Sequence, residues 1–141
     1  MAWLFEDAEF GEDTTQWYGY IYMIENLLNG RKYIGRKYFT MAGYKQVKGK
    51  RKKIRKESDW NEYYGSSPAL LKDVEAMGKE NFKRTILKLC KGRGECNYWE
   101  AKYIFDHNAV LDGNYYNSWV QCKVQATHVK NLLFNQPEGT K

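Results

Sequence analysis

Two strand-like segments joined by a short turn constrain this chain more than any other feature. Residues 17–26 read WYGYIYMIEN, and their aromatic and β-branched side chains favour a strand. Asn29 and Gly30 follow, and this pair is a strong hairpin signal because a type I′ turn needs a positive φ at both central residues. Residues 32–38 then read as the returning strand. The sequence therefore predicts an antiparallel hairpin over residues 18–38.

The segments after the hairpin predict helices that cover a short sheet. Ser67 can cap a helix in which Pro68 takes the first position, and Gly78 is a suitable residue to end it. Three further elements are expected: a strand over 82–89, a helix over 95–108 and a short closing helix over 122–134. This order predicts an α+β fold in which helices flank a small antiparallel three-stranded sheet that begins with the hairpin.

Length and charge limit the class of protein. A chain of 141 residues, 43% of them hydrophobic, fits one domain with a packed core. The first thirteen residues carry five acids and no base, which leaves 23 basic and 12 acidic residues in the rest of the chain. That surplus suits a polyanionic partner, although it does not separate DNA from RNA or from an acidic membrane surface.

Cysteine usage and hydropathy bear on location. The chain has three cysteines, an odd number, and we recognise neither a signal peptide nor an apolar run that could span a bilayer. We therefore expect a reduced, cytoplasmic location and no membrane partner. The spacing of Cys90, Cys96, His107, Cys122 and His128 matches no CxxC or HxxxH pattern, so no zinc site is predicted.

The hairpin carries two tripeptides that matter together. Residues 20–22 read YIY and residues 33–35 read YIG. The pair resembles the motifs of the GIY-YIG endonuclease family, including its free-standing phage and homing members. Tyr22 falls on the tyrosine of the first motif and Tyr33 on that of the second, whereas the first glycine is replaced by tyrosine with Gly19 adjacent.

The resemblance extends over residues 18–119. Family members carry a metal-binding glutamate on a late helix, and residues 99–104, WEAKYI, look like that segment, with Glu100 as the glutamate. On spacing alone, a solvated helix glutamate is the commoner case, but the hairpin motifs favour Glu100 as the metal ligand. The family also has an asparagine in a later tyrosine-asparagine pair, which Tyr116 and Asn117 resemble.

One position departs from the family pattern. The family arginine lies about ten residues past the second motif tyrosine, where this chain has Gly43. We assign its role first to Arg36, which a strand places beside Tyr33. Lys37, which also follows the second motif, and Arg51 and Arg55 are the other candidates.

The resemblance implies a metal-dependent DNA endonuclease that hydrolyses phosphodiester bonds in double-stranded DNA with Mg²⁺ or Mn²⁺. Tyr22 would be the base and Tyr33 its partner, or the two roles would be exchanged. The implied catalytic residues are Tyr22, Tyr33, Arg36, Glu100 and Asn117, with Glu100 as the metal ligand. A phage-encoded member would act in the host cytoplasm.

Two other functions remain open, and oligomeric state is undecided. A non-catalytic DNA- or RNA-binding module would not need the complete catalytic set. A ribonuclease or a tRNA-binding protein is permitted by the charge, but no motif supports it.

We expect one GIY-YIG-like nuclease domain over residues 18–119, with a basic insertion within it and one segment on either side. Residues 1–17 form an acidic arm, either frayed or an extra edge element, and residues 120–141 a C-terminal extension packing on the same domain. Residues 44–57 form a basic insertion, interpreted as a loop that grips phosphates without reading bases, or as a solvated or localisation segment. The predicted DNA-binding residues are Lys37, Lys45, Lys48, Lys50, Arg51, Lys52, Lys53, Arg55 and Lys56.

Overall fold

A computed structural model describes residues 2–120 and confirms the α+β fold class. Its elements are β1 Leu4–Phe5, β2 Ala8–Glu9, β3 Gly19–Asn26, β4 Lys32–Tyr38, β5 Thr40–Val47, β6 Lys50–Glu57, α1 Pro68–Met77, β7 Phe82–Cys90 and α2 Arg93–Asp106. The predicted closing helix over 122–134 and nearly all of the predicted extension over 120–141 lie outside the described residues. None of the described helices has the length and apolar character needed to cross a membrane.

The main sheet is larger than predicted. Its strand order is β2-β1-β7-β3-β4. It contains the predicted antiparallel three-stranded sheet, and the structure adds that β3 is its central strand, paired with both β4 and β7. The N-terminal segment adds β1, parallel to β7, and β2 at the edge. Trp3 is buried against the sheet and donates a hydrogen bond from Nε1 to the carbonyl of Trp60 at 2.8 Å. Of the two alternatives for the acidic arm, the structure has the edge element.

The β3–β4 hairpin is confirmed, but its turn is not the predicted type I′. Only Gly30 has a positive φ, 78°, whereas Asn29 does not. The Asn26 amide donates to the Arg31 carbonyl at 2.8 Å and closes a longer loop. Side-chain oxygens of Asn26 and Asn29 accept from the amides of Leu28 and Arg31 at 3.0 and 2.9 Å. These caps satisfy the loop amides, so a second left-handed residue is not required.

The main sheet buries a different cluster on each face. Tyr20, Tyr22 and Ile24 of β3 pack in a cluster that includes Leu70 and Val74 of α1. On the other face of the sheet, Ile21 of β3 and Ile34 of β4 pack in a second cluster with residues of α2. Helix α1 begins as predicted, since the Ser67 hydroxyl accepts from the Leu70 amide at 3.4 Å, and it ends at Gly78.

The predicted basic loop is instead a two-stranded sheet of its own, here called the basic ribbon, Thr40–Glu57. Strands β5 and β6 pair antiparallel along their full length. Lys48 and Gly49 have φ values of 52° and 75°, the pair of positive angles that a two-residue type I′ turn needs. The loop prediction was wrong because the many lysines hid the strand alternation, although Lys48-Gly49 was a usable turn signal.

Candidate active site

The outer edge of β4 is held by the segment that follows α2. The Lys32 amide donates to the Asn114 carbonyl at 2.9 Å, and the Tyr116 amide donates to the Lys32 carbonyl at 2.7 Å. The Asn117 side chain then replaces a strand partner: its Oδ1 accepts from the Ile34 amide at 3.0 Å, and its Nδ2 donates to the Ile34 carbonyl at 2.8 Å. Asn117 thus fixes the backbone of β4 at the central residue of the YIG motif.

Tyr116 anchors the same segment to the protein body. Its hydroxyl donates to Asp73 Oδ2 at 2.7 Å and accepts from Asn26 Nδ2 at 3.1 Å. The Arg31 guanidinium lies 4.0 Å from the centre of its ring. The tyrosine-asparagine pair therefore divides two tasks, with Tyr116 holding the segment to α1 and β3 and Asn117 holding it to β4.

Arg36 and Glu100 meet between β4 and α2. Arg36 lies on the same face of β4 as the buried Ile34, and this face packs on α2. Its Nη1 donates to Glu100 Oε1 at 2.8 Å, and the side chains are 31% and 16% exposed. Burial raises the pKa of the Glu100 carboxyl above its usual value, and Arg36 opposes part of that rise. Half-buried groups of opposite charge hold each other in a defined geometry.

The other arginine candidates lie in the basic ribbon. Arg55 sits at its root, where Nη2 donates to the Thr40 carbonyl at 2.8 Å. Arg51 lies near its tip, with the guanidinium 3.9 Å from the centre of the Tyr44 ring. Of the four candidates, Arg36 is the one in contact with the predicted metal ligand, Glu100, whereas Lys37 pairs with Asp59.

A cleft of about 180 Å³ joins residues from four parts of the chain. It is lined by Tyr33, Arg36, Ser66, Glu100 and Trp119. The hydroxyls of Tyr33 and Ser66 are 3.1 Å apart. Burial raises the pKa of Tyr33, and the hydrogen bond with Ser66 opposes that rise. Ser66 and Trp119 were not predicted from the sequence, because both lie in irregular segments. The turn residues around Ser66 were the one available signal, and they concern Ser66 alone.

Tyr22 flanks this cleft from inside the core. It is fully buried and lies opposite Gly35 in the β3–β4 register. A Cβ on Gly35 would lie 2.5 Å from the Tyr22 hydroxyl, so the ring can cross this position only because the residue is glycine. The centres of the Tyr22 and Tyr33 rings are 6.1 Å apart. This close approach explains in physical terms why the second motif needs its glycine.

The Tyr22 hydroxyl is unusual in its surroundings. Within residues 2–120 it has no hydrogen-bond partner of good geometry. Burial raises its pKa well above the usual value, and the neighbouring Tyr63 and Tyr33 raise it further. A buried polar group without a partner costs about 1–3 kcal/mol, so its presence points to a role other than packing.

Potential metal ligands are few in the described part of the chain. Residues 2–120 contain no group of three or more His, Cys, Asp or Glu side chains that could hold an ion, and Cys122 and His128 lie outside this range. The cleft offers one carboxylate, that of Glu100, of which Oε1 contacts Arg36. This donor set fits a hard cation such as Mg²⁺, which commonly keeps several waters and takes one or two carboxylates together with substrate phosphate.

The predicted DNA-binding residues fall into two groups. Eight of the nine are exposed on the basic ribbon: Lys45, Lys48, Lys50, Arg51, Lys52, Lys53, Arg55 and Lys56. Lys37 instead lies in β4, where its Nζ is 2.6 Å from Asp59 Oδ1 and 4.0 Å from the centre of the Tyr63 ring. The positive charge of Lys37 is therefore partly neutralised within the protein.

Comparisons with known proteins agree with the hairpin motifs. Residues 3–120 match the family described as "Putative endonuclease segE, GIY-YIG domain". The protein "Putative endonuclease segE" of Enterobacteria phage T4 is 34% identical over 101 residues, which are 71% of this chain and 40% of that relative. This chain thus corresponds to less than half of the relative's length. No solved structure matches. The family match takes in the sheet, the basic ribbon and the cleft, and the chain belongs to the segE GIY-YIG domain family.

Proposed function

We propose that this protein is a metal-dependent DNA endonuclease that hydrolyses phosphodiester bonds. The observation that carries the proposal is the convergence of Tyr33, Arg36 and Glu100 on one cleft of about 180 Å³. A phenol, a guanidinium and a carboxylate in one cleft supply a base, a cation for the transition state and a metal ligand. The family and the printed name of the phage T4 relative support the same class of reaction.

Glu100 would hold the cation, Mg²⁺ or Mn²⁺. When bound, such a cation stabilises negative charge on phosphate oxygens and on the leaving oxygen. Arg36 acts on the same charge from the protein side, because a guanidinium donates paired hydrogen bonds to phosphoryl oxygens. Its contact with Glu100 through Nη1 sets the orientation of the planar group before the phosphate arrives.

The two tyrosines have different tasks in this proposal. A tyrosine with a pKa near ~10 costs roughly 4 kcal/mol to ionise at pH 7, and burial raises the pKa of both residues further. Tyr33 lines the cleft, and Ser66 and Arg36 each lower its pKa. Tyr22 does not line the cleft and is fully buried. A base must reach the attacking water, which favours Tyr33 as the base and Tyr22 as its support.

Asn117 serves as a positioning residue rather than as a group that touches substrate. Its amide oxygen and nitrogen both bond to the backbone of Ile34, between Tyr33 and the YIG glycine. The clamp keeps the edge of β4 rigid, which holds Tyr33 and Arg36 at a fixed spacing. Rigid support of this kind is needed because small displacements of catalytic groups cost rate.

The substrate assignment depends on the basic ribbon. Its eight exposed cations follow directly on β4, the strand that carries Tyr33 and Arg36. Arg36 lines a cavity together with Thr40 and Met41 at the root of the ribbon, so a polyanion bound at that root would lie near the cleft. Cations that neutralise phosphates release counterions, which favours nucleic acid as the partner.

Cleavage of supercoiled plasmid tests the proposed function. We expect conversion to nicked or linear DNA with Mg²⁺ and none with excess EDTA. The Glu100→Gln variant should be inactive under both conditions, which separates cleavage by this protein from cleavage by a contaminant. Undiminished cleavage in EDTA, or a folded protein that cleaves RNA but no DNA, would overturn the proposal.

A further inference from the structure

The basic ribbon carries more positive charge than the whole chain. It contains eight basic residues and one acid, Glu57, a surplus of seven. The formal net charge of all 141 residues is +6, so the residues outside the ribbon sum to −1. The strands each have eight residues and are about 26 Å long at ~3.3 Å per residue. The attraction of this protein for polyanions is therefore concentrated in one slender element.

The ribbon does not gain its shape from a hydrophobic core. Nearly all of its side chains are exposed, and Lys45 lies directly opposite Lys52 in the register. Like charges directly opposite each other destabilise a strand pair, and an isolated two-stranded hairpin is only marginally stable in water. A polyanion along the ribbon would remove that repulsion, so the ribbon is suited to binding rather than to packing.

Alternation along the strands gives the ribbon two unlike faces. One face, here called the arginine face, carries Tyr44, Gln46, Arg51, Lys53 and Arg55, with Thr40, Ala42 and Glu57 at the root of the ribbon. The opposite face, here called the lysine face, carries Met41, Lys45, Val47, Lys50, Lys52, Ile54 and Lys56. Directly opposed residues of an antiparallel pair share a face, so the register alone determines this division.

The arginine face holds side chains that can read bases. The Arg51 guanidinium lies 3.9 Å from the centre of the Tyr44 ring, which holds its planar group over the ribbon. Gln46 is directly opposite Arg51. Arginine pairs with the N7 and O6 atoms of guanine, and glutamine with adenine, both in the major groove. A solvated loop could not fix such contacts, but a ribbon in defined register can.

We propose that the basic ribbon inserts into the major groove of B-form DNA with its arginine face toward the bases. The inference rests on the proposed function, since it takes nucleic acid as the substrate. A B-form major groove about 12 Å wide admits a two-stranded ribbon, whereas the major groove of duplex RNA is too narrow for side-chain reading. Lysines of the opposite face have flexible stems that reach the flanking phosphates.

Binding to modified duplexes tests this insertion without any cleavage. The wild-type chain is titrated in EDTA with a mixed-sequence DNA duplex, with the same duplex carrying 7-deazaguanine for guanine, and with one carrying hypoxanthine for guanine. The first replacement removes the N7 acceptor from the major groove, and the second removes the amino group from the minor groove. We expect about tenfold weaker binding for the first and little change for the second. Equal binding to all three duplexes, or loss only with hypoxanthine, would overturn the proposal.

Two matched variants divide base reading from phosphate gripping. Arg51→Met removes the donors of the guanidinium, so it should abolish the penalty for 7-deazaguanine. Lys52→Gln should lower the salt slope of log K by roughly 0.9 and keep the penalty. A penalty that survives Arg51→Met would remove Arg51 from the groove.

Two outcomes separate a wrong groove contact from a wrong nuclease function. If 7-deazaguanine weakens binding but the protein cleaves no DNA in Mg²⁺, the proposed groove contact stands and the proposed nuclease function is wrong. If the protein cleaves DNA but binds all duplexes equally, duplex RNA included, the proposed nuclease function stands and the proposed groove contact is wrong.

Discussion

The cleft and the basic ribbon hold their charges in opposite ways. In the cleft, Arg36 and Glu100 are half-buried and contact each other at 2.8 Å. In the ribbon, eight cations are exposed, and Lys45 even faces Lys52. Only Phe39 separates β4, which contributes to the cleft, from β5 of the ribbon. In the proposed function, these neighbouring parts of the chain would meet two different needs, a fixed geometry for chemistry and a strong electrostatic field for binding.

This contrast has an energetic consequence. Removal of one member of a half-buried pair leaves its partner without compensation in a partly desolvated site. Removal of an exposed cation from a repelling set costs little stability and reduces the repulsion. Substitutions in the cleft should therefore affect turnover most, and substitutions in the ribbon should affect binding while leaving folding and turnover nearly unchanged.

The Glu100→Gln variant should show the largest loss of turnover. The amide keeps an oxygen for Arg36 but loses the charge that a divalent cation requires, so we expect cleavage to fall by a factor on the order of 10³. DNA affinity in EDTA should stay within about twofold, because the ribbon is untouched. Cleavage rate at saturating plasmid and binding by filter retention measure the two effects.

Glu75→Gln is the matched control, because Glu75 is an exposed glutamate on α1, which lies on the other face of the sheet from α2. It should cleave like the unchanged protein. Near-normal cleavage by folded Glu100→Gln would show that Glu100 is not part of the active site. Turnover would then not depend on the cleft carboxylate more than on the ribbon cations.

Removal of either tyrosine hydroxyl should reduce turnover by a smaller factor. We expect Tyr33→Phe to lose about 10²-fold, since its hydroxyl lines the cleft. Tyr22→Phe should lose less rate and raise the free energy of unfolding by about 1 kcal/mol, because the variant no longer buries an unpaired hydroxyl. Single-turnover cleavage and urea unfolding measure these changes.

The ratio of the two rates decides which tyrosine is the base. A larger loss for Tyr22→Phe than for Tyr33→Phe would restore Tyr22 as the base, whereas full activity of both would show that the hydroxyls are not catalytic.

Much of this fold could be predicted from local patterns in the sequence. The contacts between elements that are distant in the sequence could not be predicted in this way. Strand β4 was predicted with the observed bounds, Lys32–Tyr38, because alternation and turn signals are local. The contact between Arg36 and Glu100 requires α2 to pack on β4, and no pattern in either segment states that pairing. Ser66 and Trp119 were missed because irregular segments carry no periodicity. The sequence predicts a loop where the structure has the ribbon, because lysine occupies both faces of β6 and hides the alternation.

Two strand glycines provide a stability comparison between the regions. In Gly35→Ala, the new Cβ would lie 2.5 Å from the hydroxyl of the buried Tyr22, so the ring must shift within a packed core. We expect a loss of about 1–3 kcal/mol in the free energy of unfolding, with slower cleavage. In Gly43→Ala, the three atoms nearest to the new Cβ all belong to the flexible, exposed Lys56 side chain, which can move aside, so the change should stay within about 0.5 kcal/mol. Equal costs at both positions in urea unfolding would show that the approach of Tyr22 to Gly35 is not tightly packed.

The smallest change in turnover is expected from the ribbon itself. Lys50, Arg51, Lys52 and Lys53 are replaced together by glutamine, and four exposed lysines outside the ribbon, Lys72, Lys79, Lys83 and Lys91, serve as the control set. The ribbon variant should bind DNA more weakly, and each lost phosphate contact should lower the salt slope of log K by roughly 0.9. Cleavage at saturating DNA should persist, because the cleft residues are unchanged, and the thermal midpoint should hold or rise as the repulsion is relieved. An unchanged salt slope would mean that the ribbon is only a solvated element. Loss of cleavage at saturating DNA would transfer the catalytic arginine from Arg36 to Arg51, and the ribbon would then belong to the chemistry as well as to the binding.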